Sequence, residues 1–186
     1  MSEAEPLLDA ATLRRAFRRL ADVLETQGIV GHVFVVGGAA MVLAYRTRLA
    51  TRDVDAVFVP KREVRAAAER VAEELGIHHH WLNDAAKGFM PGEDPDALDL
   101  SDSPFLQISV ASPRYLLAMK LLAFRDDRDI QDIVFLLERT GIETVDEALD
   151  LLEHYFPQRL LDVRTQLKLE ELLAGSSKRG GPPASG

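Results

Sequence analysis

The chain has 186 residues, 47% of them apolar, enough for one domain with a buried core and marginal for two. Its 22 Lys+Arg against 30 Asp+Glu give a net charge of −8, which excludes a generic nucleic-acid coat. The absence of cysteine removes disulfides, Cys-ligated zinc, iron–sulfur clusters and thiol catalysis together.

The opening MSEAEPLLDAATLRR lacks a basic segment followed by an apolar one, so no secretory signal is expected. No apolar run approaches the roughly 20 residues of a membrane span. These features predict a cytoplasmic protein with no membrane partner. Charge is uneven along the chain: residues 1–65 carry ten Lys/Arg and eight Asp/Glu, whereas the rest is strongly acidic. Seventeen of the 22 basic residues are arginine, which grips phosphate bidentately, so a polyanion would approach the N-terminal third.

In chain order, Leu13, Phe17, Leu20 and Leu24 recur at helical steps and predict a helix over 12–27, with Thr12 as N-cap and Gly28 as its stop. Arg14, Arg15, Arg18 and Arg19 flank it. HVFVV (32–36) predicts a buried strand that ends at Gly37-Gly38, and AAMVLAY (39–45) a buried helix. From Asp53 to Val59 the chain alternates as a strand, with Val54, Ala56 and Phe58 on one face and Asp53, Asp55 and Val57 on the other. A helix over 61–75 follows, ended by Gly76, and IHHHWLN is expected as a further strand. Residues 91–104, with three prolines and five acids, predict a loop. FLQISV is a strand, and Ser112-Pro113 opens the helix RYLLAMKLLAF.

After the charged break RDDRD, in which Asp126-Asp127 ends one helix and caps the next, come helices over Ile130–Arg139, TVDEALDLLEHYF and PQRLLDVRTQLKLEELL. GSSKRGGPPASG is expected as a disordered tail. The expected architecture is α+β with an α/β-like core. A short mixed sheet flanked by helices occupies 1–110, a helical C-terminal part of the same domain 111–174, and the tail 175–186.

The chemistry concentrates in strand–Gly37-Gly38–helix–Thr51-Arg52-Asp53-Val54-Asp55–strand. Asp53 and Asp55 leave one face of a strand, roughly 6–7 Å apart at the backbone. Such a pair suits Mg²⁺, which takes one or two carboxylates and completes its shell with water and phosphate. Gly37-Gly38 lets backbone N–H groups approach an anion at the start of a helix. His78-His79-His80, alternating along a strand, would offer an ion two ligands at most and is read as structural, and Trp81 as core.

GGAAMVLAYRTRLATRDVDAVFV resembles the nucleotidyltransferase superfamily that includes DNA polymerase β, whose signature is a Gly-Gly or Gly-Ser turn, a helix and an Asp-x-Asp strand. YLLAMKLLAFRDDRDIQDIVFLL is similar to the Lys…Arg-Asp-x-x-Asp helices of bacterial toxin nucleotidyltransferases, the AbiEii-like and MenT-like group. The two matches span roughly residues 30–140. The resemblance implies that Asp53 and Asp55 chelate Mg²⁺, one ion or two, carrying a nucleoside triphosphate. Gly37, Gly38, Thr51 and Arg52 would cradle the phosphates. Lys120 would meet the triphosphate, and Asp132, with Asp129 as alternative, would hold Lys120 or assist the attacking hydroxyl. It further implies transfer of a nucleotide, often a pyrimidine, to the 3′ end of tRNA by a toxin with a cognate antitoxin. Arg14, Arg15, Arg18, Arg19, Arg46, Arg48, Arg52, Lys61, Arg62 and Arg65 would form a basic rim for such an acceptor.

Many superfamily members place a third carboxylate on a later strand, where this chain offers Gln107, an amide that cannot take a proton. The turn is also Gly-Gly where many members have Gly-Ser, which removes one side-chain contact to phosphate. A small-molecule acceptor, a protein acceptor and an inactive nucleotide- or RNA-binding module are the competing functions.

Overall fold

The computed structural model describes residues 7–124 and 127–177. They divide between two compact units, Met1–Met90 with Asp94–Ser112 and Pro91–Glu93 with Pro113–Gly186.

The first unit opens with β1 (Leu8–Asp9) and α1 (Ala10–Thr26). The helix starts two residues before the expected position because Asp9, not Thr12, caps it: the Asp9 carboxylate accepts the Thr12 N–H at 2.7 Å. β2 (Gly31–Val35) leads into α2 (Gly37–Ala40), which continues as a π-helical turn over Met41–Tyr45. The expected buried helix is thus a short α-helical start with a widened turn, and Ala39 to Leu43 are buried. β3 (Ala50–Thr51) pairs antiparallel with β1, and β4 (Val54–Val59) and α3 (Lys61–Leu75) follow.

Of the expected strand IHHHWLN, only β5 (Leu82–Asn83) forms. His78 to Trp81 make a turn in which the His80 N–H donates to His78 Nδ1 at 3.1 Å. Trp81 dictates that turn. It is fully buried, its indole N–H donates to the Ala68 carbonyl at 2.9 Å, and its ring meets Phe17 edge-on. A 3₁₀ turn over Ala85–Phe89 precedes β6 (Leu98–Asp99), a short strand inside the stretch expected as loop, and β7 (Leu106–Val110). The Asp94 carboxylate ties that stretch down by accepting the Ser112 N–H at 2.7 Å and its hydroxyl at 2.9 Å.

The main sheet has the order β5-β4-β2-β7-β6. β2 runs antiparallel to β4 and parallel to β7, β4 parallel to β5, and β6 antiparallel to β7. Val33, Val35, Val54, Ala56, Phe58, Leu106, Ile108 and Val110 are buried on one face, against which α1 and α3 pack. Each of these side chains other than Ala56 contributes about 1.5–3 kcal/mol when fully buried. The opposite face carries Asp55, Val57, His32, Phe34, Gln107 and Ser109, all half-buried or exposed. This is the mixed α+β architecture expected.

The second unit holds α4 (Pro113–Leu122), α5 (Asp127–Thr140), α6 (Val145–Tyr155) and α7 (Val163–Ser177). Pro113 takes the first position of α4, where its missing N–H costs nothing. α4 packs on α5 and α6, and α6 on α7. A capping box starts α6: the Thr144 hydroxyl accepts the Glu147 N–H while Glu147 accepts the Thr144 N–H. The last helix begins at Val163 rather than Pro157, with the Asp162 carboxylate accepting the Thr165 N–H at 2.7 Å. It runs on through Ser177, so Gly175 to Ser177 are helical rather than tail. Residues 178–186, and Arg125-Asp126 of the charged break, lie outside the described residues. No helix among the described residues is long and apolar enough to cross a membrane.

Candidate active site

The predicted turn and carboxylates meet at one edge of the first unit. β2 delivers the chain to Gly37, whose φ of +63° belongs to the left-handed region that favours glycine. A Cβ built on Gly37 would lie 3.2 Å from Asp55 Oδ2, so the second carboxylate presses directly against the glycine backbone. A Cβ on Gly38 would lie 2.9 Å from Thr51 Oγ1 and 3.5 Å from Arg48 Nη1. The Thr51 hydroxyl donates to the Asp53 carbonyl at 3.1 Å and so fixes the approach to the carboxylate pair. The α-helical stretch is only four residues long, the two glycines included, so backbone N–H groups, rather than a long helix dipole, are what the turn would offer an anion.

Asp53 lies just before β4 rather than within it, and Asp55 is the strand's second residue. Both stay half-buried and project from the face opposite Val54 and Ala56. Asn83 of β5 stands beside Asp55 in the parallel ladder, and its Nδ2 donates to Asp53 Oδ2 at 3.0 Å. The next residue, Asp84, pairs with Lys61 and, at 2.8 Å, with Arg65 of α3. The Lys61 hydrogen bond, reinforced by the charges of Lys61 and Arg65, holds the Asp84 carboxyl below its usual value.

The donor set fits Mg²⁺. Two carboxylates leave one strand face, and the adjoining glycine cradle would be filled by any Cβ. Waters and substrate phosphates complete the octahedral shell of this ion, so a third protein ligand is not required. Among the described residues no group of three or more His, Cys, Asp or Glu could hold a metal, the histidine run included.

Register corrects the place assigned to Gln107. It pairs with His32 and thereby with Val59, four residues along β4 from Asp55, or roughly 13 Å. Ser109, aligned with Phe34 and Val57, is the nearer β7 side chain on that face. Asp99, opposite Ser109 on β6, is three strands from β4.

The other predicted cluster lies in the second unit. Lys120 Nζ sits 2.9 Å from Asp129 Oδ1 and 2.8 Å from Asp132 Oδ2. Asp129 and Asp132, three apart on α5, share a helix face and clamp the lysine of α4 from one side. Asp132 is 1% exposed, so the ammonium meets its carboxylate away from water.

The basic rim is partly neutralised. Arg19 pairs with Glu74 and Asp22, Arg18 with Asp102, and Lys61 and Arg65 with Asp84. Arg14, Arg46, Arg52 and Arg62 are exposed and carry no ion pair among the described residues. Sequence reasoning missed Asn83 and Asp84. Their only signal was a polar pair after a buried Trp-Leu, which has meaning only once β5 is placed beside β4.

No curated protein and no solved structure matches the chain. Residues 11–158 match the family described as "Nucleotidyltransferase of unknown function (DUF6036)", and the chain belongs to that nucleotidyltransferase family.

Proposed function

We propose that the protein is a Mg²⁺-dependent nucleotidyltransferase that moves a nucleoside monophosphate from a nucleoside triphosphate to a hydroxyl of RNA, the 3′ end of tRNA. The observation that carries this reading is the packing of the Asp55 carboxylate against Gly37, which sets the glycine turn after β2 beside the carboxylates at the start of β4. Asp53 and Asp55 would hold the metal, one ion or two, which when bound would neutralise the triphosphate and polarise its α-phosphorus. The N–H groups of Gly37 and Gly38 and the Thr51 hydroxyl would bind phosphate oxygens, with Arg52 beside them. The resemblance gives Lys120 the contact with the triphosphate; within the second unit its ammonium is engaged by Asp129 and Asp132.

The acceptor oxygen attacks the α-phosphorus in line, the bond to the bridging oxygen of the β-phosphate breaks, and pyrophosphate departs. The hydroxyl proton passes to solvent. Positioning and charge stabilisation supply most of what such a displacement needs. An RNA acceptor is supported by the exposed Arg14, Arg46, Arg52 and Arg62. The likeness of the Lys120–Asp132 stretch to the AbiEii-like and MenT-like group supports a toxin restrained by an antitoxin.

Purified protein, Mg²⁺, labelled triphosphates and total RNA should yield a labelled tRNA-sized band, and Asp53→Ala or Asp55→Ala should abolish it. Label on a small molecule or on protein, with RNA untouched, replaces the acceptor. Nucleotide or RNA binding without any transfer replaces the enzyme with a binding module. Expression without a partner should arrest growth, and equal tolerance of wild type and Asp55→Ala removes the toxin role.

A further inference from the structure

Asn83 donates a hydrogen bond to the carboxylate of Asp53, and its geometry leaves it little freedom. Its Oδ1 accepts the Ala85 N–H at 3.0 Å, an Asx turn that dictates which way the amide faces. With the oxygen committed there, the amide nitrogen must face Asp53, which it reaches at 3.0 Å. The platform beneath is rigid as well: Asp84 is anchored to Lys61 and Arg65 of α3, and Asp55 is the ladder partner of Asn83 on β4.

We infer that Asn83 is a positioning residue for the metal site: by donating to Asp53 Oδ2 it fixes the rotamer of that carboxylate and leaves Oδ1 for a divalent cation. Nothing in the sequence motif calls for it, since the motif ends at Asp55 and Asn83 enters only through the pairing of β5 with β4. An amide suits the place. It donates without bringing a charge, so it orients Asp53 and leaves its negative charge whole for the cation. A lysine there would neutralise the ligand it orients. Outer partners of this kind typically govern roughly 10- to 100-fold in metal affinity.

This inference rests on the metal-binding role proposed for Asp53 and Asp55, and the experiment separates the two. Mn²⁺ binding to the full chain is measured by electron paramagnetic resonance, with melting temperature in chelator as the control for folding. Asn83→Ser is the decisive variant. Its hydroxyl keeps the turn to the Ala85 N–H but is too short to reach Asp53. It should weaken Mn²⁺ binding roughly tenfold or more while melting with the wild type. Asn83→Ala should weaken binding at least as much, and if it does not fold the serine variant decides. Wild-type Mn²⁺ affinity in Asn83→Ser overturns the role of Asn83, provided that Asp53→Ala abolishes binding. If Asp53→Ala binds Mn²⁺ as the wild type does, the metal site itself falls, and the positioning role with it.

Discussion

Replacing Gly37 with alanine separates backbone strain from site geometry, because Gly76 offers a matched control. Both residues have φ of +63°. An alanine forced into that region costs about 1–2 kcal/mol at either position. For a chain of this size that lowers the melting temperature by about 2–8 °C. The surroundings differ. A Cβ on Gly76 meets nothing within 4 Å, whereas one on Gly37 lies 3.2 Å from Asp55 Oδ2, and the carboxylate must give way by a few tenths of an ångström. A displacement of 1 Å at reacting groups can cost about 10²-fold, so a shift of that smaller size should cost roughly four- to tenfold in kcat/KM. Thermal melts and nucleotide transfer measured on both variants test this. Gly37→Ala should lose stability like Gly76→Ala but activity far more. Equal activity in the two variants would refute the contact between the turn and Asp55 as a determinant of catalysis.

Other perturbations follow from the same structure. Lys120→Met removes the ammonium shared by Asp129 and the buried Asp132 and should cost about 3–5 kcal/mol in urea denaturation, with much of it recovered in Lys120→Met/Asp132→Leu. Trp81→Phe removes the second donor to the Ala68 carbonyl, which keeps its helical partner within α3, and should cost about 0.5–1.5 kcal/mol; a loss under a few tenths would show that the bond contributes nothing. Because Lys61 and Arg65 hold the Asp84 carboxyl below 3.8, the unfolded chain takes up that proton first as pH falls. The stabilisation is therefore present above the unfolded-state value and lost as the pH falls through the depressed folded-state one, and the melting-temperature gap between wild type and Asp84→Asn should close across that acid window. A gap that stays constant across that window would remove the ion pairs as its source.

The strand–turn–strand core could be read from the chain because its signals are local. Alternation in VDAVFV places Asp55 opposite Val54 and Ala56 whatever the partners are, and Gly37-Gly38 marks the turn by itself. What escaped was set by distant partners. β5 and β6 are two residues each, and they exist as strands only because β4 and β7 offer free ladder positions. The histidine run reads as strand from its β-rich surroundings, yet burial of Trp81 turns the chain there. Pro157 to Asp162 carry the leucines of a helical pattern, but Leu160 is 93% exposed and the helix waits for the Asp162 cap. Asp9 and Thr12 are both good caps; the pairing of β1 with β3 chooses Asp9. The Lys120 cluster was legible as a spacing, whereas its double clamp required α4 against α5.

The register of β7 bears on how the proposed transfer would respond to its acceptor. Beside Phe34 and His32 it sets a hydroxyl and an amide, and neither relieves an incoming alcohol of its hydrogen. With the proton passing to solvent, as in the proposed transfer, bond formation would track the intrinsic acidity of the acceptor. Logarithmic rates would rise along a single ascending limb as the medium becomes more alkaline, and a ribose cis-diol would outpace a simple alkanol. Specificity in such an enzyme is in part chemical, written into the nucleophile as much as into the groove that receives it.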